Sequence, residues 1–402
     1  MQQALEARPE LARAAAELRA AKERVPQAEA WAEPMLEVGV QNDSFNKWNV
    51  GVMEMSWVSF MASQTFPFPG KTGLRAEVAQ SEVKLSELVA ERVRLSTIAE
   101  VRRGYLALQL VRDRRALLEK LITLNTRLVE VARVRSESGA GSQAEVLRAQ
   151  VELGRVSQRR FQLQAEEQLQ VQALNRLRHR PLDTAIQTSA SPSTLPALLS
   201  FEQALTLARE HSPELLAARA GISRAQASAA LARRSYFPDL SVSAGVMVRG
   251  RLDPMWTLTL GVPLPVFAGA RQSRALAEAD AQRDAATQGV EAVEQLLTLR
   301  AHQRAESLKA LSAVWQSYAG GLLTQAETAA ESTVAQYAIG RATFADVLGA
   351  TSVSIAEVEA SLQVLGDAWR LAIAQDELSP EEVATARAAL SSPSTSSAPT
   401  GM

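Results

Sequence analysis

The segment PELARAAAELRAAKERVPQAEAWAEPMLEV, residues 9 to 38, returns at residues 213 to 242 as PELLAARAGISRAQASAALARRSYFPDLSV, a constant offset of 204. Ten of the thirty positions are identical. Ala contributes four of them, so the weight rests on the Pro-Glu-Leu triplets and on Pro34 against Pro238. Two more landmarks recur in the same order: Pro67 and Pro69 with Pro263 and Pro265, and the glycine-bearing stretch Gly139 to Ala149 with Gly340 to Ala350. Three ordered matches mark an internal duplication. Residues 1–190 then form a first structural repeat and residues 200–380 a second, with a linker at 191–199. The Ser/Pro/Thr-rich tail 381–402 has the composition of a disordered segment.

Each repeat follows one plan of helix, two strands, a very long helix, a break and another helix. The first has a helix at 9–33, a strand pair at 34–66, a long helix at 71–135 and a helix at 142–178. The second has a helix at 213–236, a strand pair at 239–264, a long helix at 270–336 and a helix at 343–378. In DLSVSAGVMVR the apolar Leu240, Val242, Ala244, Val246 and Val248 alternate with polar or small residues, and WTLTLGVPL continues the period. The short linker GRLDP makes these two a hairpin. MLEVGVQ alternates in the same way, whereas NVGVMEMSWVSFMASQTF blurs the period with Met and Trp. At about 1.5 Å per residue, the long helix spans about 100 Å, and the two shorter ones together span nearly as much. One long helix therefore matches two short ones laid end to end against it. Pro26, Gly104, Gly320 and Gly321 interrupt these helices, so bends are expected there.

Composition agrees with a long helical object. Hydrophobic residues make up 47% of the 402 but aromatics only 5%, with Ala, Leu, Glu, Gln and Arg dominant. Lys and Arg number 43 against 44 Asp and Glu, which argues against a nucleic-acid partner. With no Cys there is no disulfide, no thiolate metal site and no cysteine nucleophile. No apolar run is long enough for a membrane-spanning helix, and no export signal opens the sequence. The chain is then either cytoplasmic or given without its targeting segment.

Four strands per chain fall short of the roughly eight that a closed barrel needs. Two solutions remain. One is a small sheet packed on the chain's own helices, which describes a soluble elongated coiled-coil scaffold or adaptor. The other is a barrel shared among identical subunits, with the apolar face on lipid. Trp48, Trp57 and Trp256 near strand ends fit an aromatic belt as well as they fit ordinary packing.

The duplicated plan, the PxL strand openings at Pro34 and Pro238, QTFPFPGK, GVPLPVFAGARQ and the YxxGxxxxxDVLxA motif from Tyr337 to Ala350 resemble the TolC-like outer membrane efflux family. The resemblance covers about residues 3 to 378. MEMSWVSFMASQTFPFPGK is most similar to the branch that works with heavy-metal cation pumps. The resemblance implies a mainly α fold with a small β part, assembled as a homotrimer with a twelve-stranded β-barrel in outer membrane lipid and an α-helical barrel in the periplasm. It implies as partners a periplasmic adaptor (membrane fusion) protein and an inner-membrane pump of the resistance-nodulation-division type, with no cofactor and no enzymatic activity. A protein of this kind needs an export signal, so the expectation is a late-assigned start or a mature chain.

The glycine-bearing breaks at 136–143 and 337–343 read as the turns where long helices reverse. Resemblance assigns such tips to adaptor docking, through Gly139, Gly141, Ser142, Gly340, Ala342 and Thr343. A carboxylate follows each turn, Glu145 and Asp346. As first-turn acids they suit a helix N-terminus; in the trimer that the resemblance implies they would ring a narrow cation-attracting entrance. Tyr337 is placed to bond one of them as a latch. The family's second acidic position, three residues after the first, is Gly349 here. His179, His211 and His302 show no metal-ligand spacing. Each internal Met falls in or beside a strand, where it serves as a flexible filler or as a guide for soft cations.

Overall fold

Period-two alternation is realised as one antiparallel sheet in the order β1-β2-β3-β4, in a computed structural model that describes residues 1–197 and 199–378. The strands are β1 (Met35–Gln41), β2 (Trp57–Phe66), β3 (Leu240–Arg249) and β4 (Leu252–Gly261). The pairing of β2 with β3 joins the two sequence halves in one sheet, with Phe60 opposite Val246 and Ala62 opposite Ala244. Residues 42–56 link β1 to β2, while β3 turns tightly into β4 through Gly250 and Arg251. The strand expected from Trp256 to Leu264 starts earlier, at Leu252, and stops at Gly261. Its register shifts by one between Met247 and Arg249, and Pro254, which has no N–H to give, falls at that irregularity. The expected tail at 381–402 lies outside the described residues.

Helices carry the rest of the chain. They are α1 (Gln2–Ala7), α2 (Pro9–Glu29), α3 (Lys71–Glu137), α4 (Gln143–Leu177), α5 (Phe201–His211), α6 (Pro213–Arg234), α7 (Gln272–Ser317), α8 (Leu323–Ala338) and α9 (Phe344–Asp376). The repeated Pro-Glu-Leu triplets are helix starts. Arg8 and Ser212 end the preceding helices in extended backbone, and proline, whose missing N–H is no loss at the first helical position, opens the next. The short helix α5 begins on a capping box in which Ser200 and Gln203 exchange hydrogen bonds. Neither Pro26 nor Gly104 ends its helix, and α3 runs unbroken for 67 residues, about 100 Å. Only the second long segment breaks: α7 and α8 meet at a π-helical turn, Tyr318–Leu322, where Gly321 takes φ 119°. That positive φ is open to glycine and strained for other residues. Among the described residues, no helix is long and apolar enough to cross a membrane.

The chain divides into two compact units that cut across the sequence halves. One holds residues 13–91 and 213–293, including the sheet. Its strand-to-helix corners are tied by Lys71, whose Nζ donates to Asp239 Oδ1 and to the Phe237 carbonyl, each at 2.7 Å. The Phe68 N–H also donates to Asp239, at 2.9 Å, and the Phe68 and Phe237 rings stack with centroids 4.6 Å apart. The other unit holds residues 1–12, 92–212 and the described residues from Glu294. Apolar clusters run along its helices, such as Leu118, Leu121 and Val156 with Ile355, and Ala99, Leu106 and Leu110 with Ile373. In the same unit, Arg112 and Arg115 of α3 both donate to Glu167 of α4, at 2.8 and 2.7 Å.

Candidate functional site

Within the helical unit the two glycine-bearing breaks come together. Leu128 and Ala132 of α3, Val146 and Ala149 of α4, Tyr337 of α8, and Phe344 and Val347 of α9 form one buried cluster drawn from both repeats. Gly139 and Gly340 hold equivalent places in the two reversals and both take φ +75°, the left-handed region that ends helices. Ser142 and Thr343 follow as N-caps. The reversals at 136–143 and 337–343 are thus two copies of one turn.

They differ in what their acids do. Thr343 and Asp346 form a complete capping box: Thr343 Oγ1 accepts from the Asp346 N–H at 3.2 Å, and Asp346 Oδ2 accepts from the Thr343 N–H at 2.8 Å. The Thr343 hydroxyl also donates to Asp346, at 2.7 Å, and these bonds hold the exposed carboxyl below its ordinary pKa. In the first repeat Ser142 accepts from the Glu145 N–H at 3.3 Å, and the Glu145 carboxylate turns elsewhere. Its Oε2 accepts from the Tyr337 hydroxyl at 3.0 Å, linking α4 to α8. Tyr337 is 1% exposed. Burial, with the Glu145 hydrogen bond and charge, pushes its pKa up to about 12 against the opposing influence of Arg135.

Arg135 is the residue that the sequence reading missed. Its Nη1 donates to the Tyr337 carbonyl at 2.7 Å and its Nη2 to the Ala140 carbonyl at 3.0 Å, while the guanidinium lies 4.8 Å from the centre of the Tyr337 ring. One side chain thereby ties both reversals. Aligning the two tips shows the signal: the position equivalent to Arg135 is Gln336, so the repeats have diverged where they touch. Of the residues expected at the docking tips, Gly139, Ser142, Gly340 and Thr343 are exposed. Gly141 is half-buried, and Ala342 packs against the buried cluster. Gly349, Glu152, Arg155, Arg159 and Glu359 border a cavity of about 790 Å³ between α4 and α9.

The sheet has two unlike faces. Strand register aligns Leu36, Ala62, Ala244 and Leu258, then Val38, Phe60, Val246 and Trp256, then Val40, Val58 and Val248. All lie on one face. The other carries Met35, Ser63, Ser243 and Thr259, then Glu37, Met61, Gly245 and Thr257, then Gly39, Ser59, Met247 and Met255. Trp256 is 80% exposed on the apolar face and Trp48 is exposed in the β1–β2 linker. Trp57 pairs with Gln41 and stands on the polar face, so strand parity separates it from Trp256 and a single belt does not take all three.

The chain matches the family described as outer membrane efflux protein over residues 1–179 and 204–390. It belongs to that family. The family is one of channel proteins of the outer membrane that reach into the periplasm, which sets aside the soluble scaffold. Among relatives, the nickel-cobalt-cadmium resistance protein NccC of Alcaligenes xylosoxydans xylosoxydans is 26% identical over 318 residues, covering 78% of this chain and 69% of NccC. The outer membrane protein OprJ of Pseudomonas aeruginosa is 28% identical over 234 residues, covering 55% of this chain and 48% of OprJ. Among solved structures, the outer membrane protein VceC of Vibrio cholerae superposes with a TM-score of 0.80 at 20% identity, covering 94% of each chain. The mainly helical fold with a small sheet is that of the family's channels.

Proposed function

We propose that three copies of this chain build one passive exit duct, each contributing four strands to a twelve-stranded barrel and its long helices to a periplasmic tunnel. The observation that carries the reading is the sheet itself: an apolar face continuous across four strands in register, largely exposed, opposite a mixed face of Ser, Thr, Gly and Glu with one Met from each strand and Trp57. A sheet tucked under its own helices would bury the apolar face, whereas lipid on one side and water on the other match both. The edge strands β1 and β4 present unpaired peptide groups, which hydrocarbon does not tolerate. Pairing β1 of one copy with β4 of the next removes every edge. Trp256 and Trp48 suit the membrane interface.

In this reading residues 1–190 and 200–380 are two structural repeats, and the paired reversals form the entrance. Exposed Gly139, Ser142, Gly340 and Thr343, with Gly141 and Ala342 behind them, receive a periplasmic adaptor, which hands on cargo from an inner-membrane pump of the resistance-nodulation-division type. Glu145, Asp346 and Tyr337 line the constriction, with the Tyr337 to Glu145 bond as its latch. The cargo is a metal cation or another small molecule, and the name of the NccC relative favours the cation. The test is assembly and conduction. Purified from outer membranes, the protein is expected to run as a detergent-stable trimer and to give single-channel currents in planar bilayers. A freely soluble folded monomer would refute the duct.

A further inference from the structure

The four methionines of the sheet all stand on its polar face. Register places Met35 opposite Ser63, Met61 opposite Gly245 and Met247 opposite Met255, whereas the apolar face holds Leu, Val, Ala, Phe and Trp and no Met. An apolar filler belongs where apolar contacts are made, so filling does not explain thioethers among hydroxyls and glycines. Each strand gives one sulfur. Met247 and Met255 are direct cross-strand partners, and Met35, Met61 and Met247 are linked by diagonal steps within reach of a long side chain. Gly245 opens the path between β2 and β3. A Cβ there would stand 2.5 Å from the Met61 Cγ, so the Met61 side chain lies across the glycine toward β3. Met61 and Met247 are half-buried, and Met255 is 39% exposed.

We propose that Met61, Met247 and Met255, extended by Met35, form a soft-cation site for Cu(I) or Ag(I) on the water-facing wall of the duct. Thioethers are soft, uncharged donors that select such ions over Ni(II) or Zn(II). Three long, flexible side chains in adjacent register converge on one ion without the backbone moving, and Glu37, directly opposite Met61, supplies a carboxylate beside it. Thioethers, being uncharged, hold a monovalent ion without locking it in place, as suits a cation in transit.

The site rests on the duct reading only for which face meets water, and the experiment separates the two. The purified full-length protein in detergent is titrated anaerobically with Cu(I) against a chromogenic Cu(I) chelator. The wild type is expected to take Cu(I) from the chelator. The triple variant Met61→Leu, Met247→Leu, Met255→Leu should bind at least ten-fold more weakly while Met53→Leu, Met55→Leu in the linker binds as the wild type does. Ser59→Met adds a thioether directly opposite Met247 and should tighten binding, so the idea stays testable if the triple variant misfolds. Failure of the wild type to take Cu(I), full binding by a folded triple variant, or no gain from Ser59→Met overturns the site. Conductance in planar bilayers is read on the same samples: a conducting wild type that takes no Cu(I) refutes the site alone, and Cu(I) binding without conduction upholds the site and refutes the duct.

Discussion

Tyr337 donates its hydroxyl to Glu145 Oε2 across 3.0 Å, joining side chains 192 residues apart and one from each repeat. Replacing Tyr337 with Phe keeps the packing of the ring in its cluster and removes only that bond, at a cost of about 1 kcal/mol. If the bond holds the entrance, Tyr337→Phe and Glu145→Ala each raise the single-channel conductance or open probability in planar bilayers. Conductance identical to the wild type in both variants refutes the latch. Because the neutral phenol is favoured, its contribution is complete below the ordinary value of 10 and fades as pH rises through about 12, so alkali below pH 10 leaves the bond intact.

The two caps differ in strength. Thr343→Ala dismantles a reciprocal capping box and is expected to cost about 1 kcal/mol, with a smaller loss for Ser142→Ala, whose side chain makes a single long bond. Hydrogen exchange at the first turns of α9 and α4 reads this directly. Asp346 has a lowered pKa, so its share of the cap is present above the ordinary 3.8 and is lost as pH falls through the lower folded value. Acid well below pH 3.8 should therefore loosen the start of α9.

The unlike faces of the sheet predict unlike tolerance. Val38→Arg puts a charge on the apolar face beside Phe60, where contact with lipid makes it unfavourable. Ser59→Arg puts the same charge on the polar face, one residue from Phe60. Native electrophoresis of detergent extracts should show the assembly lost in the first and kept in the second. Equal behaviour of the two would refute lipid contact.

Lys71 answers for two groups at one corner. Lys71→Met leaves the Phe237 carbonyl without that donor and Asp239 with only the Phe68 N–H, at a cost of about 1–3 kcal/mol. Adding Asp239→Asn should recover part of the loss, because no uncompensated carboxylate then remains. A double variant that melts no higher than the single one contradicts this account.

Alternation and glycine were the parts of the fold open to sequence reading. Leu240 to Val248 show their period because one face is apolar throughout, and Gly139 and Gly340 announce a reversal because an Ala-rich helix has no other cause to place glycine there. The start of β4 was hidden, since Asp253 and Pro254 read as turn residues and are carried in the strand by an irregularity of register. Gly104 and Gly320–Gly321 look alike in sequence, yet only the second ends a helix, because tertiary packing settles what local propensity leaves open. That Tyr337 bonds one of the two acids was readable from the sequence; that the acid is Glu145 and not Asp346 was not. Arg135 was not, because an arginine in the last turn of a helix that bonds a carbonyl of its own turn, here Ala140, is common, and the Tyr337 carbonyl becomes its neighbour only when the reversals meet.

If copies close one barrel by pairing β1 with β4, as proposed, the bare rims of these strands also set how the protein matures. A newly exported copy has no finished surface of its own, so insertion waits on encounters between copies and its rate climbs steeply with their number. A copy crippled along either rim would join healthy ones and spoil the ring it entered, so such a mutation would act dominantly over the intact gene.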